Sequence, residues 1–484
     1  MRKIFIATFF ILLFTTSCRE QKSLPLEHLY IVATNDIHAN IYAMPQLATL
    51  VKEYESRGDV LVVDSGDRVS GNAFVDDGAR PGVAMIELMN AIGYDVVTVG
   101  NHEFDKGPAV LGDMVRTAEF KTVCSNALSL TGEVPFESVV SFEFGELKVA
   151  FVGVVDTDDG GHPLGQEQVY EEFRFTNDVQ TAYDVCASLE DDVDFVVVLS
   201  HMGDNIDEQF IALNPRCDWV AGGHTHEMRN HTINGIQLTQ SGKNLGSVML
   251  AHISHRDGEV VDVEYDTIAL DRWIADSQLT ELVAQIKSRN PELNAVEGYA
   301  NEHITRDGVA NLTVAALKEY PYAGGLTPDI AFYHYGGIRL SSILKGAITR
   351  GDIYNNDPFN SYILLGEMTT EQIRTFILDK YNAVGEGGRA DKESHYPYFR
   401  ANIPYEIVVG EDGDASDINI GLTPGQSYSV AICDYIAKKY IDEAIIREQF
   451  REAGVTVREA LLEYVRTATE GITPDNVNHQ VELR

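Results

Sequence analysis

The sequence predicts an α/β fold for the first half of the chain, on two observations. Six apolar runs of four to seven residues, among them 60–63, 149–155 and 195–199, have the length and composition of buried parallel strands. Segments with helical apolar spacing, such as 45–55 and 83–92, lie between them. The alternation of strand, turn and helix is typical of α/β layering.

The turns that follow five of these runs carry an unusual set of side chains. The turn after residues 96–99 reads Gly-Asn-His-Glu-Phe-Asp, and the sixth run, 149–155, ends at Asp156 without an obvious ligand set. The candidates are Asp36, His38, Asp67, Asn101, His102, His201, His224 and His226. Ligands of open α/β sheets bind at the carboxyl ends of strands. If the strands are neighbours in one sheet, these side chains therefore converge on one crevice.

These residue types suit a centre of two metal ions. Imidazole and carboxylate groups are ligands for Zn, Mn or Fe, and a closed structural zinc site takes only four ligands. Asp67 is the natural bridge, since it stands between the other groups in sequence order, and His224 and His226 can face different ions. The alternative is a set of capped strand ends with hydrogen-bonded core histidines. A single turn of this kind would favour that alternative, whereas five such turns favour a metal centre.

The order Asp-x-His, Gly-Asp, Gly-Asn-His-Glu, His and Gly-His-x-His over residues 29–265 resembles the calcineurin-like metallophosphoesterase superfamily. The forms Asn-Asp-Ile-His and Gly-Asn-His-Glu-Phe-Asp are similar to those of its bacterial 5′-nucleotidase and UDP-sugar hydrolase branch. The resemblance implies a metallophosphoesterase β-sandwich flanked by helices. It also implies two ligand sets: Asp36, His38, Asp67 and His226 for one ion, and Asp67, Asn101, His201 and His224 for the other.

A two-metal centre of this kind implies a mechanism. Two divalent ions about 4 Å apart would hold a bridging hydroxide and orient a phosphate for in-line attack. His102 is left as a non-ligand that can donate a hydrogen bond to the leaving oxygen. Asp105, three residues on, can orient His102 and keep it protonated. Asp105 can equally be a carboxylate at a helix N-terminus.

From about residue 300 the chain resembles the family's smaller α/β C-terminal nucleotidase domain, through Gly-Gly-Ile-Arg at 336–339 and Asp-Pro-Phe-Asn at 357–360. This implies that Arg339 contacts a substrate carboxylate or phosphate and that Phe359 stacks on a base. The alternative for Phe359 is a core position. The segment 438–443 departs from the family's Gly-Gly-Asp-Gly-Tyr or -Phe loop, so Tyr440 is a substitute for the second aromatic, or that clamp is absent. Residues 382–395 are predicted to be a surface loop.

The beginning of the chain predicts a targeting segment. Arg2 and Lys3 precede an apolar core at 4–14 that is too short to span a bilayer. Thr-Thr-Ser before Cys18 resembles a bacterial lipobox, which implies lipidation of Cys18 and an extracytoplasmic protein anchored to a bacterial membrane. A plain cleaved signal with an incidental cysteine is the alternative. The four remaining cysteines are too scattered to form a disulfide framework.

With 484 residues, two or three domains are expected. We predict a signal segment at 1–18, a tether at 19–28, a dimetal domain at 29–270, a linker helix at 271–299 and a substrate-binding domain at 300–484. From the pattern alone, the helix predicted at 271–287 can also be the last helix of the first domain.

The charge balance restricts the partners. The net charge is −37, from 74 acidic and 37 basic residues, which argues against a nucleic-acid polymer or an anionic membrane surface as the main partner. The function predicted is hydrolysis of extracytoplasmic nucleotides, of the 5′-nucleotidase type. The alternatives are a 2′,3′-cyclic phosphodiesterase, a UDP-sugar hydrolase and a broad phosphomonoesterase. A binding protein on a retired hydrolase fold is disfavoured, because it would be expected to have lost metal ligands.

Overall fold

The computed structural model describes residues 25–157, 161–165, 167–382, 398–410, 413–473 and 481–483. The predicted signal segment with Cys18, most of the tether and nearly all of the predicted loop at 382–395 lie outside these residues. Among the helices of the described ranges, none combines the length and the apolar character that crossing a membrane requires.

The elements of the first domain follow one another as the alternation of patterns predicts. In chain order they are β1 (Glu27–Thr34), α1 (Met44–Glu55), β2 (Asp59–Asp64), α2 (Ala73–Asp76), α3 (Val83–Ile92), β3 (Val96–Val97), α4 (Pro108–Thr117), β4 (Lys121–Thr122), β5 (Ala127–Ser129), β6 (Val139–Phe144), β7 (Leu147–Val155), β8 (Phe173–Phe175), α5 (Asp178–Ala187), β9 (Phe195–His201), α6 (Asp204–Ala212), β10 (Trp219–Ala221), β11 (Met228–Ile233), β12 (Ile236–Ser241), β13 (Ser247–Arg256), β14 (Glu259–Ala269) and α7 (Ser277–Arg289). A 3₁₀-helix, Asn101–Phe104, follows β3.

The main strands form two six-stranded sheets rather than one. The first has the order β14-β13-β1-β2-β3-β4, and the second has the order β11-β12-β10-β9-β7-β6. β1, β2 and β3 are parallel neighbours in the first sheet, and β7, β9 and β10 are parallel neighbours in the second. The ligand turns therefore come from two sheets, which corrects the single-sheet arrangement considered from the strand pattern. The predicted β-sandwich is confirmed.

The two sheets pack face to face between layers of helices. Residues such as Ile31, Phe151 and Val197 fill the core between the sheets. Val32, the neighbour of Ile31, faces the opposite way into a second core with residues of α1, α3, α4 and α7. A third core joins the outer face of the second sheet to α5 and α6. Because both faces of each sheet are covered, the central strands are apolar throughout.

The helix predicted at 271–287 begins later than its apolar pattern indicates. Its first residue is Ser277, because the Asp276 carboxylate accepts hydrogen bonds from the backbone N–H groups of Gln278 and Leu279 at 2.9 and 3.0 Å. Ile274 stands outside the helix and is 83% exposed. The apolar face of α7 packs into the helix-covered core of the first domain.

The second domain has its own core, whose first residue is Ala300. Its elements are β15 (Val296–Ala300), β16 (Ile304–Thr305), α8 (Arg306–Glu319), β17 (Ile330–His334), β18 (Ser342–Ile343), β19 (Gly346–Thr349), α9 (Arg350–Asn356), β20 (Tyr362–Thr369), α10 (Thr370–Asn382), β21 (Phe399–Ala401), β22 (Tyr405–Val409), β23 (Ala415–Ile420), β24 (Ser427–Cys433), α11 (Asp434–Tyr440), α12 (Glu443–Gln449), β25 (Phe450–Thr456), α13 (Val457–Thr467) and β26 (Val481–Leu483). The largest sheet has the order β21-β17-β24-β20-β25.

Candidate metal centre

The turns that carry the candidate ligands are held in a sparsely populated backbone conformation. Five of the seven predicted ligands have positive φ: 48° at Asp36, 45° at His38, 56° at Asp67, 79° at His224 and 62° at His226. Left-handed conformations of this kind cost about 1–3 kcal/mol each in residues other than glycine and cluster at functional sites. The backbone N–H groups of Asp36 and His38 donate to the carbonyls of Gly66 and Asp67 at 3.0 and 2.9 Å, so the turns after β1 and β2 fix each other.

The first cluster of side chains contains Asp36, His38 and His226. The Nε2 atoms of the two histidines lie 2.9 Å apart. Asp36 Oδ1 lies 3.8 Å from Nε2 of His38 and 3.4 Å from Nε2 of His226. Asp36 is fully buried and His38 is 5% exposed. Two imidazole nitrogens and a carboxylate oxygen thus face a common point.

The second cluster contains Asp67, Asn101, His201 and His224. Nε2 of His201 lies 3.2 Å from Asp67 Oδ2, and Nδ1 of His224 lies 3.1 Å from Asn101 Oδ1. Asp67 shares one group of mutually close ligand atoms with His201 and His224, and another with His38 and His102. The structure therefore brings all seven predicted ligands together and puts Asp67 between the two clusters.

The protonation of His201 tests whether these residues fit a cation. Its Nδ1 lies 2.7 Å from the Ser65 carbonyl oxygen, which has no proton, so Nδ1 is the donor. In the neutral ring Nε2 then carries a lone pair, and it faces the Asp67 carboxylate in a fully buried position. A lone pair and an anion in contact attract a cation between them, and a carbonyl that accepts from the other nitrogen is the usual partner of a metal-binding histidine. The donor set fits two divalent ions.

Gly100 is required by the close approach of the two sheets at this centre. A Cβ atom at Gly100 would lie 2.2 Å from Asp67 Oδ1 and 2.6 Å from His201 Nε2. Any side chain would therefore displace one or both of these candidate ligands. This explains the glycine directly before Asn101 in physical terms.

Glu103 supports the centre from beneath, a role that the sequence interpretation missed. Its carboxylate accepts hydrogen bonds from the backbone N–H groups of Asp67, Arg68 and Gly100 at 2.9, 2.9 and 2.6 Å. Glu103 is 1% exposed, and Arg68 lies beside it in an ion pair with Asp64 at 3.0 Å. The signal for this role is the position of Glu103 in the first turn of the 3₁₀-helix, where a carboxylate binds free N–H groups.

His102 has the surroundings of a proton donor. Its Nδ1 lies 2.8 Å from Asp105 Oδ2, and the hydroxyl of Ser70 donates to the same oxygen at 2.6 Å. Burial alone would lower the pKa of His102, but the carboxylates of Asp105 and Asp67 outweigh burial and raise it to about 8. In the backbone, the N–H of His102 donates to Asp67 Oδ1 at 2.9 Å.

Two residues of the second domain reach the same imidazole. Nη2 of Arg339 lies 3.1 Å from His102 Nε2, and the centroid of the Phe359 ring lies 5.8 Å from that of the His102 ring. Phe359 is 37% exposed, which does not fit the core position considered as its alternative. Nε of Arg339 is buried and has no hydrogen-bond partner among the described residues. The guanidinium is therefore able to bind an anion next to His102.

Tyr440 lies apart from this group. It is 8% exposed within the core of the second domain, where its hydroxyl accepts a hydrogen bond from Lys380 Nζ at 3.2 Å and its ring lies 5.5 Å from that of Phe399. His334 accepts a hydrogen bond from the N–H of Gly337 at 3.1 Å through Nδ1. That bond shapes the turn leading to Arg339, and Tyr435 stacks on the His334 ring at 4.4 Å.

Asp156 is a further neighbour of the centre. Its Oδ2 lies 3.9 Å from His224 Nε2, and its backbone N–H donates to the carbonyl of His201 at 3.1 Å. The residue is 4% exposed and directly follows β7, which lies beside β9. The sequence signal was the sixth apolar run, which also ends at the carboxyl edge of its sheet.

Comparison with known families and proteins agrees with this geometry. Residues 29–228 match the calcineurin-like phosphoesterase model, and residues 258–441 match the 5′-nucleotidase C-terminal domain. The trifunctional nucleotide phosphoesterase YfkN of Bacillus subtilis is 26% identical over 88% of the chain, and the protein UshA of Escherichia coli is 24% identical over 84%. The chain spans 34% of YfkN, 41% of the B. subtilis endonuclease YhcR and 84% of UshA.

Solved structures share the fold. The 5′-nucleotidase precursor of Thermus thermophilus superposes with a TM-score of 0.77 at 19% identity, over 94% of this chain and 99% of that one. The sulfate thiohydrolase SoxB of T. thermophilus superposes with a TM-score of 0.73 at 16% identity, over 95% and 97% of the two chains. The β-sandwich domain matches the first family model and the second domain matches the other. The chain therefore belongs to the calcineurin-like phosphoesterases that carry a 5′-nucleotidase C-terminal domain.

Proposed function

We propose that the chain hydrolyses phosphate esters of nucleotides, as a 5′-nucleotidase, with two divalent metal ions. The observation that carries this proposal is the position of His102. Its imidazole adjoins Asp67 of the candidate metal centre on one side, and Arg339 and Phe359 of the second domain on the other. A nucleotide has the matching parts, since its phosphate suits the metal centre and Arg339, and its base suits an aromatic ring.

The ligand residues form two sets, one for each ion, that share Asp67. Asp36, His38 and His226 with Asp67 would hold one ion, and Asn101, His201 and His224 with Asp67 the other. Bound divalent ions supply Lewis acidity toward the phosphate and lower the pKa of coordinated water. The hydrogen bond from the Asp67 backbone N–H to the Glu103 carboxylate keeps Asp67 in place between the two sets.

Residues beside the metal ligands orient the ester and donate to its leaving oxygen. Asp105 accepts from Nδ1 of His102, which leaves Nε2 directed toward the space next to Arg339. Protonated His102, whose Nε2 no longer accepts a hydrogen bond from Arg339 Nη2, donates a hydrogen bond to the ester oxygen as it leaves. Arg339 stabilises negative charge on the phosphate, and a base stacked on Phe359 fixes the ester in that orientation.

A broader phosphomonoesterase or a 2′,3′-cyclic phosphodiesterase is the second candidate, and the position of Tyr440 favours it. With Tyr440 in the core, the described residues provide Phe359 as the aromatic that faces His102. One exposed ring discriminates less between a nucleotide and another ester than a pair of rings would. A UDP-sugar hydrolase would use the same centre and differ in the phosphate that is attacked.

The test is a substrate panel after chelation of all metal. We would assay AMP, UMP, UDP-glucose, 2′,3′-cyclic AMP and p-nitrophenyl phosphate with Mn, Zn, Co or Mg added back singly. Turnover restored by metal, with the largest specificity constants for the nucleoside monophosphates, is the expected result. If the specificity constant for p-nitrophenyl phosphate equals those for the nucleoside monophosphates, the protein is a broad phosphatase and not a nucleotidase. No turnover of any substrate with any metal would indicate a binding protein.

We also propose an extracytoplasmic location with a lipid at Cys18, supported by the charged, apolar and small-residue order of residues 2–18. The test compares the wild type with Cys18→Ser in a bacterial host. The wild type should partition into detergent and incorporate labelled palmitate, and the variant should do neither. Equal labelling of both proteins would contradict lipidation at this cysteine.

A further inference from the structure

Arg458 lies at the start of α13, outside the candidate site, and is 5% exposed. Its guanidinium joins the two domains. Nη1 donates to Asp77 Oδ2 of the first domain at 2.8 Å, while Nε donates to the Asp357 carbonyl at 2.7 Å and Nη2 to the Pro358 carbonyl at 3.0 Å. The guanidinium carbon also stands 4.4 Å from the centroid of the Tyr354 ring.

The segment that Arg458 holds leads directly into Phe359. Within this segment the Asp357 carboxylate accepts hydrogen bonds from the backbone N–H and the hydroxyl of Ser361, both at 2.9 Å. The carbonyl of Asn356 accepts from the N–H of Arg339 at 3.2 Å. Both residues proposed to contact substrate therefore depend on the backbone path between 356 and 361.

A planar guanidinium suits this position because its donors point in fixed directions. One arm fixes the distance to the first domain, and the other two fix consecutive peptide groups immediately before Phe359. A methionine side chain would fill similar space without donating any of these hydrogen bonds. A lysine would keep the charge near Asp77 but could not hold both carbonyls in the same geometry.

We propose that Arg458 is a positioning residue, which sets the Phe359 ring against His102 by tying the 357–358 peptides to Asp77. Selectivity for a base then depends on a hydrogen-bonded link between the domains that itself contacts no substrate. The inference rests on the proposed nucleotidase function for its consequence in catalysis, and on the contacts of Arg458 for its structural part.

The first experiment measures the ratio of specificity constants for AMP and methyl phosphate. Because the displaced ring stacks less well on the base, Arg458→Met should lower this ratio by about tenfold, mainly through a higher KM for AMP. Arg458→Lys should lower it as well, because the fork is lost although the charge remains. Arg466→Met, on the exposed face of the same helix, is the matched control and should leave the ratio unchanged.

Asp77 provides a variant that does not disturb the buried arginine directly. Its side chain is 28% exposed and lies in the first domain after α2. Asp77→Ala should lower the ratio as Arg458→Met does, whereas Asp77→Asn, which keeps an acceptor oxygen, should restore it. An unchanged ratio in both Asp77→Ala and Arg458→Met would overturn the proposal.

A double-mutant cycle locates the effect. In a Phe359→Ala background, Arg458→Met should produce no further fall in the ratio, because the ring that it positions is already gone. A fall of the same size in both backgrounds would mean that Arg458 acts through another part of the molecule, and would overturn the role assigned to it.

Hydrogen exchange separates this inference from the proposed function. The Ser361 amide, which donates to Asp357, should exchange faster in Arg458→Met and Asp77→Ala but not in Arg466→Met. That result supports positioning even where the wild type shows no preference for AMP, which would contradict only the nucleotidase proposal. Unchanged exchange in both variants would show that Arg458 does not order the segment.

Discussion

The candidate metal centre and the proposed substrate-binding face differ in how firmly the fold determines them. The candidate ligands come from the ends of strands in two packed sheets, and their turns are fixed by hydrogen bonds between backbone groups. The proposed substrate-binding face consists of Arg339, which we assign to the phosphate, and a half-exposed Phe359, which we assign to the base. The comparison indicates that the proposed chemistry rests on the core of the first domain, while the proposed selectivity rests on a few contacts between the domains.

The largest effect is expected at Asp67, where the two ligand clusters meet. Asp67→Ala should abolish turnover and lower bound metal from two ions per chain toward one or none, because one carboxylate serves both clusters. Metal analysis by mass spectrometry and an assay with AMP would measure both quantities. Asp59→Ala, at the exposed start of β2, the strand that precedes Asp67, is the control and should keep both. Two ions per chain with full activity in Asp67→Ala would refute the bridging role.

His102 should separate chemistry from metal binding. His102→Ala should retain both ions but lower kcat by about 10²- to 10⁴-fold, the usual contribution of one general acid. The companion variant Asp105→Asn should reduce kcat less, since the imidazole stays in place without its carboxylate. His231→Ala, an exposed histidine of β11, is the control for the loss of an imidazole. Loss of an ion in His102→Ala would make His102 a ligand and change the assignment.

Phe359 should change selection and leave the chemistry intact. Because stacking on one base contributes about 1–3 kcal/mol, Phe359→Ala should raise KM for a nucleoside monophosphate by roughly ten- to a hundredfold. Methyl phosphate, which has no ring to stack, should be hydrolysed as before. The measurement is the ratio of the two specificity constants, with Tyr362→Ala, an exposed aromatic of β20, as the control. An equal ratio in wild type and Phe359→Ala would mean that no base stacks there.

The same contrast governs what the sequence could reveal. The ligand residues are recognisable because each follows an apolar run, and α3 is bounded as predicted because Gly82 and Gly93 flank its apolar residues. The division of the strands between two sheets is not encoded in any single run, since pairing depends on contacts between distant segments. The contact of Arg458 with Pro358 spans 100 residues, and no local pattern indicates it.

Tyr440 shows that a short sequence match is a weak guide to a side chain's position, because this residue lies in the core of the second domain. Its substitution is expected to have the smallest effect on catalysis. Its hydroxyl accepts from Lys380 Nζ inside the second core, so Tyr440→Phe should lower the free energy of unfolding by about 1.5–3 kcal/mol, the range for a hydrogen bond to a charged group. The ratio of specificity constants for AMP and methyl phosphate should not change. Chemical denaturation and the two assays measure these quantities on the same preparation. Tyr440→Leu extends the test, because it also removes the ring that packs against Phe399, and should destabilise the domain further while the ratio again stays the same. A lower ratio in Tyr440→Leu with normal stability would instead make Tyr440 a second base contact, and the face built on Phe359 would then contain a pair of rings.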